Sequence, residues 1–225
     1  MMRTVLPDPE PGQHKAPLAP ACTSRGDLRR EAIVRAATEL FLERGYAGTS
    51  IAAVNQRAGG SRTAIYQYFG SKEALFGAIV AQKCGEIVQI LAEPHFASLP
   101  PRQALTRFGL RMAEIVLAPE GVALMRIVIA DSARFPELAR IFHQAGPAVG
   151  RARLADYLAE QQARGTLRIT DPSASARLFA DMILGTFQIE ALLGIAAPDA
   201  QTRAGVVAQG VEAFLAAGLP VANPA

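Results

Sequence analysis

Apolar residues recur at helical spacing through nearly all of the chain after residue 27, and strand-like alternation is almost absent. A sequence patterned in this way buries its apolar faces by packing helix on helix. Ile33, Ala37, Leu40 and Phe41 share one face of a first helix that ends at Gly45. A short helix follows over 50–58, with Ile51, Val54 and Ala58 on one face and Thr49 as its N-cap. Gly59-Gly60-Ser61 then breaks the chain and caps a third helix running to Phe69. Gly70-Ser71 breaks and caps again, before a longer helix over 72–92. The stretch 29–80 therefore reads as a helix-turn-helix.

Beyond Pro94 the breaks are as legible. Pro100-Pro101 precedes a helix to Leu117, and Pro119 opens another that ends near Asp131. Pro136 starts the next, which Gly146-Pro147 interrupts or kinks before it resumes to Arg164 and closes at Gly165. Asp171-Pro172 places an N-cap before a proline at the first helical position, opening a helix to Gly194. Pro198-Asp199 opens the last, which ends near Gly218. The count is about nine helices, with 166–170 as the one short strand candidate. The expected fold is all-α: a proline-rich disordered arm over 1–24, a helix-turn-helix domain over 25–85, a helical domain over 86–219 and a tail over 220–225.

The net charge of +3 is unevenly placed. Residues 25–85 carry nine basic against five acidic side chains, whereas 86–225 carry twelve against thirteen and the arm is neutral. The basic excess thus sits in the small N-terminal segment, as a nucleic-acid-binding module requires. Within the third helix, Ile65 and Phe69 are four apart and share a face assigned to the core. Arg62, Thr63, Tyr66 and Gln67 form a second, polar face. An α-helix fits the major groove, where Arg and Gln pair bidentately with guanine or adenine edges, while Tyr and Thr hydroxyls suit phosphate. Lys72 stands in the first turn of the next helix, where a cation opposes the helix dipole, so it is assigned an anionic partner such as phosphate. On this chemistry alone, a DNA-reading face and a solvated face fit equally.

The block 30–80, through "AATELFLERGY", "GTSIAAVNQRAG" and "SRTAIYQYFGSKEALF", resembles the DNA-binding domain of the TetR family. The resemblance implies a homodimeric repressor that binds palindromic double-stranded DNA and lets go when a small molecule occupies its C-terminal domain. It places Arg62, Thr63 and Gln67 at base-facing positions and Thr49, Tyr66 and Lys72 at phosphate-contacting ones, with Ser61 opening the same interface. Tyr68 is either core or phosphate-facing, and partial burial is favoured. Gly60 departs from the family pattern, which has an apolar residue in the turn; glycine there removes a contact between the two helices and adds backbone freedom. The segment "MRIVIADSARFPELARIFHQAGPAVGRARLADYLAEQQARGTLRITDP" is similar to the AefR-like C-terminal domain. That similarity implies an inducer-type cavity and a dimer interface made by the last two long helices, here about 172–194 and 200–217.

The helix over 120–131 is apolar almost all round, which makes Arg126 and Asp131 its odd residues. Either they reach the surface or pair with a neighbour, or one lines a cavity and orients a ligand. Phe142, His143, Phe187 and Gln188 are the other candidates for a ligand site. With no cluster of like charges in this half, the expected ligand is small and largely hydrophobic. Leu178, Met182, Gly185 and Ile189 in one helix, and Val207, Val211 and Phe214 in the last, form apolar stripes that a two-fold partner buries in a four-helix interface, unless they merely close the domain core. Cys84 reads as a small buried hydrophobe.

Two other classes compete. An enzyme lacks support: the three histidines at 14, 95 and 143 are scattered, and no nucleophile elbow, phosphate loop or dinucleotide fingerprint appears, so no metal or cofactor is expected. A helical adaptor that kept the fold without DNA binding is the other, and Gly60 is its main argument. No run approaches roughly 18–20 uninterrupted apolar residues, the length needed to span a bilayer, the N-terminus lacks the apolar segment of a secretory signal, and Cys22 and Cys84 form no metal or redox spacing. A cytoplasmic protein without a membrane partner is expected.

Overall fold

Glycines and prolines punctuate the chain into ten α-helices, which the computed structural model describes over residues 25–59, 62–93, 95–195 and 197–218. They are α1 (Arg25–Gly48), α2 (Ile51–Ala58), α3 (Arg62–Phe69), α4 (Lys72–Leu91), α5 (Pro101–Val116), α6 (Pro119–Asp131), α7 (Pro136–Ala145), α8 (Pro147–Ala163), α9 (Pro172–Leu193) and α10 (Ala200–Gly218). A single 3-10 turn, Phe96–Ser98, links α4 to α5. The five helices α5 to α9 each begin on a proline, whose missing N–H would have no partner in a first turn anyway. The Gly146-Pro147 break separates α7 from α8, so the interrupted helix of the sequence is two helices. No strand occurs among the described residues; Leu167 and Ile169 are buried in an irregular segment against the core. The arm over 1–24, Gly60, Ser61 and the tail over 220–225 lie outside the described residues.

Local chemistry sets the helix ends, with one correction. The N-cap of α2 is Ser50, whose Oγ accepts from the Ala53 N–H at 3.2 Å, and not Thr49. Thr49 is buried, and its hydroxyl donates to the carbonyls of Leu40 at 3.0 Å and Gly45 at 2.9 Å. It thereby fastens the end of α1, which is broken at Gly45 (φ 71°, ψ 176°), a conformation open essentially to glycine alone. Asp171 caps α9 as its sequence position suggests, accepting from Ala174 N–H at 2.9 Å. The same helix is kinked at Gly185 (φ 27°, ψ −124°).

Two cores result. The first gathers Leu40, Phe41 and Tyr46 of α1, Val54 of α2, Ile65 of α3 and Leu75, Phe76 and Ile79 of α4. Each fully buried side chain of this size is worth about 1.5–3 kcal/mol relative to exposure. Leu124 and Val128 of α6 and Leu138 of α7 complete the same cluster, so the helix-turn-helix segment does not close on itself. The second core joins Phe108 of α5, Leu158 of α8, Phe179 of α9 and Phe214 of α10 to Ile87 near the end of α4. Helix α4 therefore runs from one core to the other. By length and composition it is apolar enough to cross a membrane, and Leu75, Phe76, Ile79, Val80 and Ile87 are the part of it buried in the two cores. Close approach holds it there: a Cβ at Gly77 would come within 2.9 Å of Ile141 Cγ2, and one at Gly146 within 2.8 Å of Cys84 Sγ.

Candidate nucleic-acid interface and effector cavity

The turn between α2 and α3 begins with Gly59 in the left-handed conformation (φ 69°, ψ 40°), its N–H returned to the last carbonyls of α2. Arg29 donates to the Ala58 carbonyl at 2.6 Å, closing the same helix end from α1. Helix α3 is then fixed by Ile65, which is fully buried, and by Phe69, half-buried beneath the Arg30 guanidinium at 5.2 Å. Tyr66 and Gln67 point away from this core, with Tyr66 57% exposed, and Tyr68 is also exposed rather than partly in the core. Ser61 and the side chains of Arg62 and Thr63 lie outside the described residues.

Not all of the basic excess is free to meet an anion. At least five of the nine cations over 25–85 take partners within the chain. Arg57 binds Glu43 at 2.6 Å, tying α2 to α1, and Lys83 binds Glu120 at 2.7 Å. Lys72, assigned to phosphate from the sequence, also has partners within the chain. Its Nζ donates to the Tyr46 carbonyl and lies 4.1 Å from the centroid of the Tyr46 ring, and burial lowers its pKa. Thr49, the other residue assigned to phosphate beside it, turns its hydroxyl inward to the carbonyls of Leu40 and Gly45.

Tyr46 is the centre of this region. Its ring stacks on Phe41 at 5.6 Å and meets the edges of Phe76 and Phe135 at 5.7 and 5.3 Å. Its hydroxyl donates to Glu73 Oε1 at 2.9 Å, and burial, reinforced by that carboxylate, raises the phenol's pKa. The backbone N–H groups of Tyr46 and Ala47 both donate to Asp131 Oδ2, at 2.9 and 3.3 Å. Asp131 is thus a clamp between α6 and α1, not a ligand-orienting group. Arg126 is likewise structural: its guanidinium donates to the carbonyls of Ala191 at 2.7 Å and Leu192 at 3.0 Å, closing the C-terminus of α9.

Between α4, α5, α6, α7, α8 and α9 lies a cavity of about 430 Å³. Phe108, Met112, Leu124 and Phe142 give it an apolar wall, and His143 and Gln188 bring polar groups to it; of these, Phe142, His143 and Gln188 are ligand-site candidates read from the sequence. Phe187 is not part of the wall; it packs against the second core. Sequence reasoning missed Lys83, Cys84, Arg151 and Asp181, which do line it. Burial pushes the Cys84 thiol up from its ordinary pKa.

The apolar stripes of the last two helices divide. Val207, Val211 and Phe214 are buried in the chain's own core, where a Cβ on neighbouring Gly210 would strike Ile183 Cδ1 at 2.7 Å, so they are not an interface. Leu178, Gly185 and Ile189 instead face outward on α9, with Leu178 and Ile189 each 57% exposed and Met182 half-buried behind them. Leu193 and Ile195 extend this exposed apolar surface.

Residues 33–79 match the model of the bacterial regulatory proteins of the tetR family, and residues 103–217 match the AefR-like transcriptional repressor C-terminal domain. The chain belongs to the TetR family of transcriptional regulators. It is a DNA-binding regulator and not an enzyme, and no group of three metal-ligating side chains occurs among the described residues. A TetR-family structure from Mesorhizobium loti is similar over 88% of this chain and 100% of its own length, with 26% identity and a TM-score of 0.74. The flavonoid-responsive regulator FrrA is 33% identical over 87% of this chain and 99% of its own, with a TM-score of 0.71. An HTH-type repressor of Mycobacterium tuberculosis is 31% identical over 116 residues, 52% of this chain. The chain spans 58% of that repressor's length.

The clamp at Asp131 left a trace in the sequence: an acid in the last turn of α6 opposes the helix dipole and calls for donors from elsewhere. Arg151 left a weaker one, since a cation early in α8 is equally common on a solvated face.

Proposed function

We propose that the protein is a homodimeric repressor that reads a palindromic operator through α3 and is released by a small, largely apolar effector bound in the cavity. One observation supports this most: α4 begins beside α3 and carries Val80, Cys84 and Ile87 in the cavity wall, so a single helix touches both ends of the mechanism. Helix α6 repeats the arrangement, lining the cavity with Leu124 and Val128 and holding α1 through Asp131. Arg62, Thr63 and Gln67 are assigned to base edges and Tyr66, with Ser61, to phosphates. The exposed α9 face through Leu178 and Ile189 is assigned to the two-fold partner, and the cytoplasm is the compartment that fits. An effector binds the dimer in the arrangement whose recognition helices no longer match two half-sites about 34–36 Å apart, and needs only a few kcal/mol of preference to shift the population. The flavonoid response in FrrA's name supports an aromatic effector of modest size.

The test is fluorescence anisotropy of the purified protein on DNA flanking its own gene, across a salt series. Tight, sequence-preferring binding with a steep salt dependence is expected. Arg62→Ala should weaken it by about 1–3 kcal/mol and relax preference at one base pair. Binding no better than to random DNA at every salt concentration would reject the reading.

A further inference from the structure

The charged side chains of the cavity wall are not equivalent. Lys83 is neutralised by Glu120 at 2.7 Å. Arg151 is not neutralised: its guanidinium lies 2.7 Å from His143 Nε2, and among the described residues no carboxylate pairs with it. Arginine has no acceptor atom, so in this contact it donates and the His143 ring nitrogen accepts. The pair spans the Gly146-Pro147 break, joining the last turn of α7 to the start of α8, and Gly146, Pro147 and Gly150 line the cavity beside it. Arg151 is half-buried as a residue, and its guanidinium meets the exposed His143 at the cavity's edge; near a helix N-terminus, next to an apolar wall and with most of its N–H donors unengaged, it favours an anion. Asp181, the one acid of the wall among the described residues, stands on α9 without pairing to Arg151, so it leaves the guanidinium's charge available to a ligand.

We infer that the effector is an amphipathic organic anion, with one carboxylate-like or phenolate-like group held by Arg151 beside His143 and an apolar body against Phe108, Met112 and Phe142. The inference rests on the effector-cavity reading above and gives that site its ligand class. The planar fork of arginine suits a two-oxygen acid group, and Phe108, Met112 and Phe142 offer an apolar body a surface that a small hydrophilic acid such as phosphate would leave unused.

Two fluorescent probes test it: 8-anilinonaphthalene-1-sulfonate and N-phenyl-1-naphthylamine, which share a ring skeleton and differ in the sulfonate. Both are titrated into the full chain, into Arg151→Gln and Arg151→Lys, and into Gly150→Trp. Position 150 lines the cavity, and a Cβ added there meets no atom within 4 Å, so a large side chain can leave the backbone without a clash at its root and take up space at the cavity. The expected result is saturable sulfonate binding that Arg151→Gln weakens tenfold or more and Arg151→Lys weakens less. The neutral probe should stay within twofold in both, while Gly150→Trp weakens both probes. If Arg151→Gln leaves the sulfonate unaffected, or weakens both probes alike, the anion assignment is wrong although the cavity reading stands. If Gly150→Trp changes neither probe, both bind elsewhere and the cavity reading falls together with its ligand class.

Discussion

Asp131 and Tyr46 stand 85 positions apart in the chain, and the Oδ2 of the first accepts the backbone N–H of the second at 2.9 Å. The bond lands one residue past the Gly45 break, where the end of α1 has lost its helical partners and its N–H groups need an acceptor. The helix that supplies the acceptor also lines the cavity. Removing the carboxylate in Asp131→Ala leaves a partly buried N–H unpaired, and should lower stability by about 1–3 kcal/mol. Asp131→Asn keeps an oxygen acceptor and should lose less. Urea unfolding of the three proteins checks this, and equal losses in the two variants would show that the acceptor oxygen is not what matters.

Lys72 is expected to act on stability more than on DNA. Its Nζ is tied to the Tyr46 carbonyl and ring, so Lys72→Met should lower stability by about 1 kcal/mol through the lost bond and cation–ring contact. The salt dependence of operator binding should change by well under one unit per subunit, the amount that a lost phosphate contact would give. A full unit of change with no loss of stability would return Lys72 to the phosphate backbone.

The sequence made the helices legible because each is bounded by residues with one strong local preference: proline at the starts of α5 to α9, and glycine at the break in α1 and after α2 and α9. It also placed Ile65 inward and Tyr66 outward, since a helix of eight residues has room for one buried stripe. What it left open were choices decided by tertiary contact. Val207, Val211 and Phe214 form as good an interface stripe as Leu178 and Ile189 do, and only the close seat of Gly210 on Ile183 shows which set the chain keeps for itself. Thr49 and Ser50 are adjacent residues with the same capping chemistry, and the carbonyls freed at Gly45 draw Thr49 inward. Arg126 and Asp131 look alike as polar intrusions on an apolar helix, but each closes the end of a different distant helix.

That division gives opposite outcomes for charge insertions on neighbouring helices. Val211→Asp buries an unpaired carboxylate in a tightly packed core and should prevent stable folding at ordinary temperature. Leu178→Glu and Ile189→Glu fall on exposed positions and should leave circular dichroism and melting nearly unchanged while shifting sedimentation towards the monomer. If both glutamate variants sediment as the parent does, the α9 face is not where two chains meet.

Cys84 gives a chemical readout of the cavity. Its thiol is largely buried in the wall, and burial raises its pKa, so the reactive thiolate is scarce near neutral pH. In a Cys22→Ser background, alkylation by iodoacetamide at pH 8 should therefore run at least about tenfold slower than for an unstructured cysteine, whose thiol ionises near 8.5. The rate should rise with pH beyond the point at which the free thiol's rate levels off. Occupying the cavity with 8-anilinonaphthalene-1-sulfonate should slow it further, because Cys84 lies in the same wall as Arg151. Mass spectrometry of the modified chain follows both effects, and a rate equal to that of the free thiol, untouched by the probe, would mean that Cys84 is open to solvent and away from the bound molecule.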